Sequence, residues 1–218
     1  MLQQIGTLIK KEWLLEMRAK SSLAGILVYI FSSLFISYLS FKQIVDVATW
    51  NALFWLLILF TAVNAIAKSF LSESRGVQLF YYSLLSPQIV IISKIIYNGC
   101  MLFMLAVFTW FFYGIFLGNP VQDCVTFMIT LFLGCFGMSS VLSMISAIAS
   151  RAGQQSSFMA ILGFPVLLPI LLIIIHLSKN AIDGLNFNTN LKYITLLLSM
   201  NLMVPALAFI LFPYLWRE

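Results

Sequence analysis

The sequence predicts an all-α membrane protein: six transmembrane helices, an amphipathic interfacial helix ahead of them, and a short helix between spans two and three. Three observations predict it. Hydrophobic residues make up 62% of the 218 and charged residues only 9%, whereas about a quarter of a soluble domain is charged. Apolar runs of span length recur along the whole chain, each bounded by charges or turn residues. The first residues instead alternate apolar and charged positions at the helical period.

That N-terminal segment, residues 1–21, lacks helix breakers apart from Gly6. Leu2, Ile5, Leu8, Ile9, Trp13 and Leu15 share one broad face, with Gln3, Gln4, Thr7, Lys10, Lys11 and Arg18 opposite. An interfacial helix is expected, with Trp13 at the headgroup boundary. Glu12 and Glu16 both project into the apolar arc, where lipid would not welcome them. This edge, with Arg18 close by, is therefore expected to meet protein, Glu16 pairing with Lys20 or Arg75. The segment has no small-residue cleavage site, so the first span reads as an uncleaved anchor.

The six spans are expected at Leu23–Phe41, Trp50–Ala67, Ile92–Leu117, Cys124–Ala149, Ser157–Leu177 and Ile194–Trp216, forming one six-span domain over 1–218. The fourth begins after a "GNP" turn, where Asn119 can cap, Pro120 suits the first helical position and Asp123 suits the first turn. It carries Gly134, Gly137, Ser139, Ser140, Ser143, Ser146, Ala147 and Ser150, small residues at spacings that let helices approach closely in lipid. The fifth carries Gly163, Pro165 and Pro169; each proline removes an amide donor, and the trio reads as a conformational hinge.

Lysine and arginine excess marks the cytoplasmic side. Lys10, Lys11, Arg18, Lys20, Lys68, Arg75, Lys94, Arg151 and Arg217 fall on one side of the six-span topology, against Lys42, Lys179 and Lys192 on the other. Both termini are thus expected in the cytoplasm, together with the segment 68–90. Within it Val77, Phe80, Tyr81 and Leu84 recur at helical spacing, Gly76 permits a turn, and Pro87 ends the short helix.

Several functions are disfavoured. The cations form no single block, which argues against nucleic acid. No Walker A loop is present to cradle a nucleotide phosphate. No carboxylate or lysine is expected near the middle of a span, where a proton-coupled carrier places its ionisable groups. Cys100, Cys124 and Cys135 have no metal or redox spacing. His176, the only histidine, is expected at the external end of span five as a structural residue, since a haem or metal site normally needs further ligands. An intramembrane enzyme would need polar groups gathered at one depth, which the sequence lacks. A purely structural scaffold stays open at this point.

The residues carry a family resemblance. "TLIKKEWLLEMRAKS" resembles the start of the haem exporter protein B family, CcmB, the permease subunit of the cytochrome c maturation system. "FLSESRGVQLFYYSLLSPQIVIISKIIYN" is similar to that family's cytoplasmic segment, through Phe70, Glu73, Gly76, Leu79, Tyr82, Leu85, Ser86, Pro87 and Lys94. "SRAGQQSSFMAILGFPVLLPILL" resembles its later region, through Arg151, Gly153, Pro165 and Pro169. The order and spacing of these motifs cover most of the chain. One departure is Phe80, which stands where the family usually has glutamate.

The resemblance implies an ABC-2-like permease of the bacterial inner membrane that works with a separate ATP-binding subunit. It also implies a haem-handling membrane subunit and a haem chaperone as partners, with membrane lipid around the bundle and no nucleic acid. Haem enters as a ligand handled by the complex, not as a cofactor bound by this chain, and the chain itself is read as non-catalytic. The segment 68–90 becomes a coupling helix that docks on the ATPase through Glu73, Arg75, Gly76, Leu79, Phe80, Tyr82 and Leu85. The competing reading is an ABC-2 exporter permease for a lipid, polysaccharide or drug.

Overall fold

A computed structural model describes residues 2–18, 20–41, 46–66, 86–151, 157–185 and 187–216. Seven helices follow in order: α1 (Leu2–Arg18), α2 (Lys20–Phe41), α3 (Val47–Ile66), α4 (Pro87–Leu117), α5 (Cys124–Arg151), α6 (Ser157–Ile182) and α7 (Phe187–Trp216). The last six are long and apolar enough to cross a membrane, and the described residues contain no strand.

α5 is the axis of the bundle and packs against α3, α4, α6 and α7. Of its membrane window 72% is buried inside the chain, against 17% for α2 and α7. Small side chains allow this enclosure. Ser139, Ser140, Ser143 and Ser146 are buried, and a Cβ at Gly134 would lie 3.1 Å from Trp55 Cη2. Close approach on the other side of α4 is tighter still, since a Cβ at Gly99 would meet the Phe136 ring at 2.9 Å.

The helix ends differ from the sequence expectation in three places. α5 starts at Cys124 as expected, but Asp123 rather than Asn119 caps it. Asp123 Oδ1 accepts from Val125 N at 3.0 Å and Thr126 N at 3.1 Å, while Asn119 Oδ1 accepts only from Val121 N, at 3.2 Å. The connection between α6 and α7 is short, not the long loop expected from His176 to Lys192. α6 runs on to Ile182 and α7 begins at Phe187. Gly184, at φ +67, sits in the left-handed region, and Leu185 N donates to Asn180 O at 3.0 Å, a Schellman-type ending. Asn180 and Asn190 then bond across the turn at 2.9 Å, satisfying amides that read as loop residues in the sequence.

The third difference matters most. α4 starts at Pro87, with Ser86 before it, rather than at Ile92. Its 31 residues span about 46 Å at 1.5 Å per residue, well beyond a ~30 Å hydrocarbon core. The early start puts Lys94, only two residues into the expected span, about two turns inside the helix, and α4 packs against α1, α2, α3, α5 and α7.

Candidate functional site

α1 packs against α4 and α2 with an edge set by its sequence. Leu8 is buried and Ile5 and Ile9 are half-buried, and the same edge continues through Glu12 and Glu16, both half-buried. Trp13, Leu14, Leu15 and Met17 are exposed. The face that meets protein is thus rotated from the arc expected by hydrophobicity alone: it takes the glutamates and leaves Trp13 and Leu15 to lipid.

Lys94 is the reason. Its side chain is 2% exposed, and its Nζ lies 3.8 Å from Glu12 Oε1, which Lys11 Nζ approaches at 3.3 Å. An ammonium buried this far needs a counter-charge, because desolvation of an isolated cation costs several kcal/mol. Along the glutamate edge, Glu12 meets α4. Its partner is Lys94, counted in the sequence as a loop cation. The signal was present: Lys94 and Asn98 stand one turn apart in a run that is otherwise apolar, where an ionisable residue marks a functional site by default. The neighbouring side chains are polar too, with Asn98 Nδ2 donating to Ser143 Oγ at 2.9 Å and Ser139 Oγ to Ile95 O at 2.9 Å, tying α4 to α5.

Beside the ion pair, α1, α2 and α4 enclose a groove of about 230 Å³ whose lining includes Trp13, Glu16, Leu27, Tyr97, Met101 and Leu105. The Tyr97 hydroxyl is buried and has no hydrogen-bond partner among the described residues. Glu16 therefore sits on the groove. Its expected partners, Lys20 and Arg75, lie outside the described side chains. Arg18 is exposed in the last turn of α1, where a cation suits the helix dipole.

The opposite end of the bundle is organised by neutral groups. Trp55 Nε1 donates to Ser178 Oγ at 2.7 Å, Ser178 Oγ to Asn51 Oδ1 at 2.7 Å, and Asn51 Nδ2 to Ile175 O at 2.9 Å. Trp50 Nε1 donates to Gly118 O at 3.0 Å and Tyr113 Oη to Trp50 O at 3.1 Å, within a cluster that includes Phe54 and Phe127. Asp46 and Asp123 cap α3 and α5 there. Hydrogen bonds from the Thr49 and Thr126 side chains, aided by backbone amides, hold both carboxyls below the ordinary aspartate value. Sequence reasoning did not find the Asn51–Ser178 link, because its members are 127 residues apart.

The remaining expected residues are dispersed. Glu73, Arg75, Gly76, Leu79, Phe80, Tyr82 and Leu85 lie outside the described residues. Gly163 is buried against Ile145, with 3.3 Å from its would-be Cβ to Ile145 Cδ1, while Pro165 and Pro169 are exposed on α6, which continues through both. His176 is exposed at the far end and packs on Tyr193, ring centroids 4.6 Å apart. Among the described residues no group of three His, Cys, Asp or Glu side chains could hold a metal. A family model described as CcmB protein matches residues 3–212. No curated protein and no solved structure matches.

Proposed function

The chain belongs to the CcmB family, the haem-exporter permease subunits of cytochrome c maturation, and from that premise we propose that it transmits motion from a separate ATPase. It is a multi-pass protein of the inner membrane and a partner of an ATPase within an ABC transporter complex. In our reading both termini and the segment 68–90 face the cytoplasm, and that segment docks on the ATP-binding subunit. The work of ATP hydrolysis is used to release a haem-loaded chaperone through a neighbouring haem-handling subunit, and this chain performs no chemistry of its own.

One observation carries the proposal. The helix that follows the docking segment, α4, starts at Pro87 and touches every other helix except α6. A displacement delivered to the segment before Pro87 passes directly to α4, from there through Lys94 and Glu12 to α1, and through Asn98 and Ser143 to α5.

With three consecutive aromatics and few charges, the docking segment grips by shape and burial. Truncating Phe80 or Tyr82 to Ala should cost about 2 kcal/mol of association, roughly thirtyfold. Arg75→Ala, the loss of a single charge, should cost at most about 1 kcal/mol. Co-purification of the ATPase and its stimulated turnover read both. The reverse ranking, or full stimulation with Gly76→Leu, would sink the docking role.

A further inference from the structure

We propose that the groove between α1, α2 and α4 is a phospholipid site, holding one acyl chain of a lipid whose headgroup ammonium meets Glu16. Three features fit that occupant. First, the groove runs down the third span from Tyr97 to Leu105, eight residues or about 12 Å along the helix axis. It starts beside Trp13 and Glu16 of the amphipathic helix, a helix suited to headgroup depth. A chain entering beside α1 would therefore lie parallel to the spans.

Second, the groove opens to lipid and not into the bundle. Its rim includes Trp13, Met17 and Met104, all exposed, and thioether side chains adapt to a flexible chain. A volume of about 230 Å³ falls below the ~300 Å³ of the smallest drug-sized pockets. A single hydrocarbon chain is the occupant of the right shape.

Third, the groove wall is apolar throughout, as an acyl chain requires, and Glu16 stands beside it. The half-buried Glu16 carboxylate has no cation within ion-pair distance among the side chains described. A carboxylate at that position attracts an ammonium headgroup and repels an anionic one.

The test is native mass spectrometry of the full chain in mild detergent, supplied with phosphatidylethanolamine or phosphatidylglycerol. One phosphatidylethanolamine should be retained per chain, preferred roughly fivefold over phosphatidylglycerol, the worth of one interfacial charge. Met104→Trp, a change at an exposed rim position, should abolish retention of both lipids. Glu16→Gln fills no space, and should keep the lipid but bring the two headgroups to parity. Equal retention of both lipids by the unaltered chain, or retention undiminished in Met104→Trp, overturns the proposal. So does a photoreactive group at position 104 that crosslinks to polypeptide instead of lipid.

Discussion

Around Trp55 and Asn51 the bundle is tied by neutral hydrogen bonds in series, each group buried and bonded to a different helix. Around Lys94 it is tied by charge, with Glu12 shared between Lys11 and Lys94 and the nearby Tyr97 hydroxyl lacking a described partner. The two regions serve different purposes. Short neutral bonds between α3 and α6 have one good geometry, so they fix the far end. An ion pair at 3.8 Å tolerates displacement, because Coulomb attraction falls slowly with distance while a hydrogen bond is lost within a few tenths of an ångström. The charged contact between α1 and α4 can therefore slide, while Asn98 and Ser143 keep α4 on α5 at the same end.

The comparison can be broken most severely at Lys94. Lys94→Ala leaves Glu12 without its buried partner, and should destabilise the bundle by about 2–3 kcal/mol in thermal unfolding in detergent. Coupling to the ATPase should be lost with it. The double change Glu12→Gln with Lys94→Met removes both charges and should recover most of the stability but not the coupling. Recovery of both would mean that the pair only packs.

Asn51→Leu removes two hydrogen bonds at the far end, and should cost about 1–2 kcal/mol, given ~0.6 per bond and at most ~1.7 in membrane bundles. Here the expected pattern is reversed: unfolding shifts, while stimulation of the ATPase by the surviving folded protein stays unchanged. A coupling defect as large as that of Lys94→Ala would erase the distinction between the ends.

The smallest effect sharpens the comparison through pH. Asp123→Ala should cost about 1 kcal/mol as a lost helix cap. The Asp123 carboxyl is held below its ordinary value of 3.8, so its contribution is full above that pH. It is lost as the pH falls through the lower folded value. The unaltered protein and Asp123→Ala should therefore differ in unfolding temperature at neutral pH and converge below about pH 3.8. A constant difference across that range would mean that the carboxylate charge contributes nothing to the cap.

Much of the fold was legible because the spans are long apolar runs, and apolarity is a local property. All six appear near their expected places, and the amphipathic helix forms over Leu2–Arg18. The helix ends were less legible. Asp123 wins the cap over Asn119 because its carboxylate accepts two backbone amides and the Thr126 hydroxyl. The loop from His176 to Lys192 folds into helix because Asn180 and Asn190 bond each other. Lys94 lay inside the expected span yet was counted with the cytoplasmic cations, because its counter-charge, Glu12, lies 82 residues upstream.

By itself, then, the sequence determined a six-span helical protein of the CcmB type, with its glutamates on the wrong arc for lipid and its small residues on the central helix. Only the tertiary structure decided which buried cation Glu12 meets, which face of α1 turns inward, and how the far end is tied by neutral bonds. The physical reason is range. Hydrophobic runs and turn residues act within one or two helical turns, whereas a buried charge or amide is satisfied only by a partner that the packed bundle brings to it.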